Sequence, residues 1–119
     1  SEFARRLRQY EGVIFNTFIS DINNFTLGQL RVDLINRGFI SKTTNRELFL
    51  KMFQGYYLLK NERVNWLKNL DSLRYFVTQL NSKLKYSKGY SKWVVVCNCF
   101  VKNDKDISTV IRKYSQNIK

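Results

Sequence analysis

The stretch Asn61 to Leu84, NERVNWLKNLDSLRYFVTQLNSKL, constrains this chain more than any other. Trp66, Leu70, Leu73, Phe76/Val77, Leu80 and Leu84 recur at steps of three and four, which places them on one stripe of a helix. Asn61 suits the N-cap, and Glu62 falls in the first turn, where a negative charge is favoured. Asp71-Ser72 offers a second start that would split the stretch into two helices. Each large side chain fully buried contributes about 1.5–3 kcal/mol, so this stripe would supply the largest share of core energy.

The rest of the chain reads as further helices. Ala4 to Ile22 carries Leu7, Tyr10, Ile14, Phe15, Phe18, Ile19 and Ile22 at a helical period, and Asn23-Asn24 is a stop signal. Arg5, Arg6 and Arg8 crowd its first turn against the helix dipole, an arrangement that an anion would relieve. Thr26 can cap a helix Leu27 to Arg37 with Leu27, Leu30 and Leu34 inward. Gly38 suits the stop, because glycine takes the left-handed conformation cheaply. Phe39 and Ile40 begin an extended link. Thr44 can cap a third helix, Arg46 to Leu59, with Leu48, Phe49, Met52, Phe53 and Tyr56 inside and Gly55 weakening it.

After Leu84 the character changes. Lys83, Lys85, Lys88 and Lys92 are interleaved with Tyr86, Tyr90 and Trp93. Trp93 to Val101, WVVVCNCFV, is a β-branched run of strand length, apolar on both faces except at Asn98. Such a strand needs a partner. Either Lys83–Ser87 folds back on it through a turn at Ser87–Ser91, or it pairs with a second copy or another segment. Asp104 or Asp106 then caps a last helix, Ile107 to about Gln116, with Val110, Ile111 and Tyr114 inward. The expected fold is mainly α. It is a compact bundle of about five or six helices with a small β-hairpin or single strand near the C-terminus. Ser1-Glu2-Phe3 reads as a cloning remnant and residues 4–119 as a single domain, open to being a piece of a longer protein.

Charge bounds the function. Twenty-one Lys and Arg stand against nine Asp and Glu, for a net charge of +12, and such an excess seeks a polyanion. No apolar run approaches the roughly 20 residues that span a bilayer. The chain has no His, which removes the commonest general base and zinc ligand. Cys97 and Cys99 alone cannot form a four-thiolate zinc site; on a strand they would share one face as buried free thiols. Two cysteines without a framework suit a reducing, intracellular setting, nuclear in a eukaryote. No cofactor, metal or catalytic signature is expected, and the chain reads as a non-enzyme, unless it is a fragment of a larger enzyme.

Two resemblances follow from particular residues. Phe25, Leu27, Leu30 and Leu34, then Arg37-Gly38-Phe39, then Glu47-Leu48 and Lys51-Met52, keep the spacing of the SAP motif. That motif is a helix–extended-loop–helix module of DNA-binding proteins, and residues 25–52 resemble it. Thr43 stands where the motif has a loop glycine, and Asn45 where it has a lysine. The resemblance implies that Arg31, Arg37, Lys42, Arg46 and Lys51 approach a DNA backbone. Residues 14–84 are also similar to a death effector domain, a six-helix protein-interaction module. Leu48 to Leu70 follows the apolar spacing of its fourth and fifth helices, and Phe15, Phe18, Ile22, Leu27, Leu30 and Arg31 that of the first two. The family's Arg-x-Asp-Leu signature is absent near Arg74.

The expected function is a basic nucleic-acid-binding module, for DNA rather than RNA, acting through phosphate neutralisation and limited base stacking. Its candidate residues are Arg5, Arg6, Arg8, Arg37, Lys42, Arg46, Lys85, Lys88, Tyr90 and Lys92. The alternative is a death-effector-like adapter whose basic face meets an acidic partner. Self-association through the strand 93–101 is a further expectation.

Overall fold

The computed structural model describes residues 16–86 and 91–111. The expected first helix lies mostly outside these residues, as do Arg5, Arg6, Arg8, Lys88, Tyr90 and Tyr114. Helices dominate the described part, and two small two-stranded sheets tie them together.

Residues 16–22 are not helical. Ile19–Ser20 forms strand β1, and the Asn23-Asn24 signal opens a helix rather than closing one. Helix α1 spans Asn24–Asn36, and the Asn23 side chain accepts from the Thr26 amide at 2.8 Å. The cap is therefore Asn23, three residues ahead of the expected Thr26. A cap needs a short acceptor on extended backbone, which Asn23 provides. At the far end Gly38 has φ +77°, its amide donates to Ile35 O, and the Phe39 amide donates to Leu34 O. This pair of bonds satisfies the last carbonyls of α1 and turns the chain sharply.

Helix α2, Arg46–Met52, is capped by Asn45, not Thr44, and is shorter than expected. Gly55, at φ +76°, donates to Phe18 O, which fastens the end of α2 to residues 18–20 running beside it. Phe18, Phe49 and Phe53 pack there with ring centroids 5.2–5.7 Å apart.

The stretch Asn61–Leu84 divides. Lys60–Glu62 is a single 3₁₀ turn, Val64–Trp66 is strand β2, and helix α3 runs only over Leu70–Leu80. Asn61 caps nothing there; Asn69 does, accepting from the Ser72 amide at 2.9 Å. The Trp66 indole N–H donates to Asn69 O and Ser72 Oγ, so strand and helix are locked across a tight corner. Residues Leu48 to Leu70, expected as two helices, hold one short helix, a 3₁₀ turn and a strand. Leu84–Lys85 forms β3, antiparallel to β1.

The expected strand Trp93–Val101 is mostly a helix. Helix α4 spans Lys92–Cys99, capped by Ser91, and the chain becomes strand β4 only at Phe100–Lys102. Val95, Val96 and Cys99 face the core, a helical pattern of one and four. Tertiary burial overrides the strand preference of the β-branched run. Cys97 and Cys99 therefore lie on different sides: Cys97 is partly exposed and Cys99 buried, and no disulfide joins them. Burial pushes the Cys99 thiol well above its ordinary range.

β4 pairs in parallel with β2, Val64 opposite Phe100 and Trp66 opposite Lys102. On the other side of β2, the Ser41 amide donates to Asn65 O and the Leu67 amide to Phe39 O. The end of the apolar run, Phe100–Lys102, thus finds a strand partner within the chain. Lys85 likewise pairs with Ile19 and not with that segment. Asn103 and Asp104 turn the chain at positive φ, tolerable for short polar side chains. The Ser108 amide donates to the Asp106 carboxylate, and helical structure resumes at Ser108. Ile107 and Ile111 are buried, but Val110, expected inward, is exposed.

Candidate nucleic-acid interface

α1 and α3 approach each other through matching faces. Leu30, Asp33, Leu34 and Arg37 on one helix, and Ser72, Tyr75, Phe76 and Gln79 on the other, share the spacing i, i+3, i+4, i+7. Between them lies a groove of about 340 Å³ whose floor is Phe39 and Trp66. The Trp66 ring is 5.5 Å from Phe39 and 5.6 Å from Phe76, centroid to centroid. Trp66 is buried, and its two hydrogen bonds leave it no freedom to leave the floor. Tyr75, by contrast, is 67% exposed on the α3 rim.

The rim is cationic at the end where α1 stops. Arg37 is its exposed C-cap residue, where a positive charge meets the negative end of the helix dipole. The exposed Lys68 holds its ammonium 6.0 Å from the Phe39 ring centroid and lies along Gly38. A side chain at Gly38 would meet the Lys68 stem at 3.7 Å. Asp33, one turn before Arg37, is the groove's carboxylate.

The other sequence-derived cations stand elsewhere. Lys42 is exposed in the link between α1 and α2. Arg46 opens α2, lies 3.8 Å from Glu47 and leans against Gly28. Gly28 and Arg37 are nine residues apart, about two and a half turns, which puts them on opposite sides of α1. Lys85 shares a polar cavity with Lys83, Asp21, Asn23 and Thr26 at the start of α1. Arg37 and Lys85 are thus at opposite ends of a helix about 20 Å long. Arg31 is committed internally, its Nε donating to Thr44 O at 2.8 Å.

The interleaved Lys–Tyr–Trp segment is also partly spent on the fold. The Lys92 ammonium lies 4.9 Å and the Arg74 guanidinium 5.9 Å from the Trp93 ring centroid. Cations of the chain itself thus occupy that ring. Tyr86 packs edge-on against Phe18 and donates to Asn81 Oδ1, and burial raises its hydroxyl pKa. Its ring serves the core. Neither Tyr75, on the groove rim, nor Lys68, against the Phe39 ring, was singled out from sequence. The Asn69-Leu-Asp-Ser72 cap was the signal available: starting α3 there puts Tyr75 and Gln79 on the Ser72 face.

A second cleft, about 430 Å³, is lined by Asn16, Tyr57–Lys60, Arg63, Cys97, Asn98, Asp106 and Ser108. Here the guanidinium is tied to the fold through Nε and Nη1. Arg63 donates to Lys60 O, Cys97 O and Asp106 Oδ2, the last at 2.9 Å. The Ser108 hydroxyl, then Arg63 and the Ser108 amide, hold the Asp106 carboxyl far below the ordinary carboxylate range. Among the described residues no group of three or more Cys, Asp or Glu is placed to hold a metal ion, and no helix is long and apolar enough to cross a membrane.

No protein-family model, curated protein or solved structure matches this chain.

Proposed function

We propose that this chain is a basic nucleic-acid-binding module that meets its ligand at the groove between α1 and α3. The observation that carries this reading is an aromatic-floored groove lined by the exposed Arg37 and Tyr75, with the exposed Lys68 against the ring of its floor residue Phe39. Exposed cations neutralise phosphates and release counterions, and exposed aromatic rings stack on bases. A net charge of +12 supplies the long-range attraction and draws polyanions to the whole surface. Lys42, Arg46, Lys83 and Lys85 contribute to that field away from the groove and add affinity without base readout.

Fluorescence anisotropy with labelled single- and double-stranded DNA and RNA at two salt concentrations tests the reading. Log affinity is expected to fall steeply with log salt. Replacing Arg37 and Lys68 together by Ala is expected to reduce the slope by about 1.5–2, close to one unit for each phosphate no longer neutralised. Binding that is absent, or indifferent to salt, overturns the proposal.

A further inference from the structure

We infer that the α1–α3 groove receives a single unstacked base, with guanine favoured over thymine or uracil. The inference rests on the nucleic-acid reading above and adds the identity of what enters the groove. The groove is too apolar at its floor to be a phosphate site, because Leu30, Leu34, Phe39 and Trp66 offer a phosphate no donor. Arg37 lines the groove where α1 ends and Lys68 lies against the Phe39 ring, so a backbone phosphate would sit by Arg37 and Lys68 while the attached base points inward. Tyr75 presents an exposed ring on one rim, which is the stacking partner that an unpaired base requires. A duplex cannot supply such a base without opening, so the groove selects single strands, loops or ends.

Base preference follows from Asp33. An ionised carboxylate only accepts hydrogen bonds, and it repels phosphate and carbonyl oxygens alike. It therefore favours a base edge that presents donors. The N1–H and N2 amino group of guanine lie side by side and match the two oxygens of a carboxylate. Thymine and uracil present one N–H between two carbonyls, which a carboxylate disfavours. Gln79, across the groove on α3, can donate or accept and completes a polar rim around that edge.

The test uses a labelled oligothymidylate and the same oligomer with one internal dG. In anisotropy titrations the dG oligomer is expected to bind about tenfold more tightly. Asp33→Asn is expected to erase that preference, weakening the dG oligomer while oligothymidylate binds at least as tightly as before. Tyr75→Ala, at an exposed position that spares the fold, is expected to weaken the dG oligomer about tenfold with the salt slope unchanged. Equal affinity for the two oligomers, or a dG gain that survives both substitutions, overturns the inference. Salt-dependent binding of oligothymidylate in that same experiment would leave the nucleic-acid reading standing. Loss of all binding in the unsubstituted protein would remove that reading as well.

Discussion

The α1–α3 groove and the cleft at Arg63 each contain an arginine, and the arginines are used in opposite ways. Arg63 has a side chain only 16% exposed and joins three segments: the turn at Lys60, the end of α4 at Cys97, and the loop at Asp106. Arg37 is exposed at the end of α1, beside a groove with an aromatic floor. Net charge does not distinguish them. Engagement does: a guanidinium bonded to three segments of its own chain stabilises the fold, and one facing water keeps its donors for a ligand.

Substitutions that treat the two alike will separate them. The largest effect is expected for Arg63→Ala, which removes a donor from two carbonyls and from a carboxylate that only Ser108 then holds. Hydrogen bonds to charged groups of this kind contribute about 1.5–3 kcal/mol, and chemical denaturation will read the loss. A smaller effect is expected for Asp106→Asn, visible near neutrality and lost in acid. The folded-state pKa of Asp106 is depressed, so the folded form holds a proton more weakly than the unfolded chain does. Its contribution is complete above the ordinary Asp range and declines as pH falls below about 4. Acid titrations of the two proteins should therefore differ near neutrality and converge at low pH. The smallest stability change is expected for Arg37→Ala, within about 0.5 kcal/mol in the same denaturation experiment. A large loss there would mean that Arg37 is structural after all, and would dissolve the contrast.

How far the fold could be read from residues divides along similar lines. α1, its glycine stop and the extended link were legible because their signals are local. Gly38 and Phe39 sit within a few positions of the bonds they make, whereas the expected cap, Thr26, falls three residues after the true one, Asn23, which was expected as a stop. The split of Asn61–Leu84 was half visible at Asp71-Ser72. Trp66, Leu70 and Leu73 fit a helical stripe by count, and all three are buried or partly buried. Yet Val64 and Trp66 are buried as alternate residues of a strand. Steps of two and of 3.6 coincide over so short a stretch. Trp93 to Val101 misled for a different reason. Its composition favours a strand, while the Ser91 cap and the burial of Val95, Val96 and Cys99 impose a helix.

The site was less legible than the fold. Arg37 was expected from charge and the SAP-like Arg37-Gly38-Phe39 spacing, but Lys68 and Tyr75 acquire meaning only when Asn69 caps α3. Charge counting cannot tell Arg31, tied to Thr44 O, from Arg37. Nor can it see that Lys92 and Arg74 cover the ring of Trp93.

The parallel pairing of Val64–Trp66 with Phe100–Lys102 sets the timetable of this chain's maturation. Loop closure over so long a span is slow compared with helix formation, so α1 and α2 can assemble well before the ladder closes. On the ribosome, the floor tryptophan waits for Lys102 to emerge before both flanks of its strand are covered. Any nascent chain halted before Phe100 would display that tryptophan's strand with a bare hydrogen-bonding edge, a ready target for chaperones.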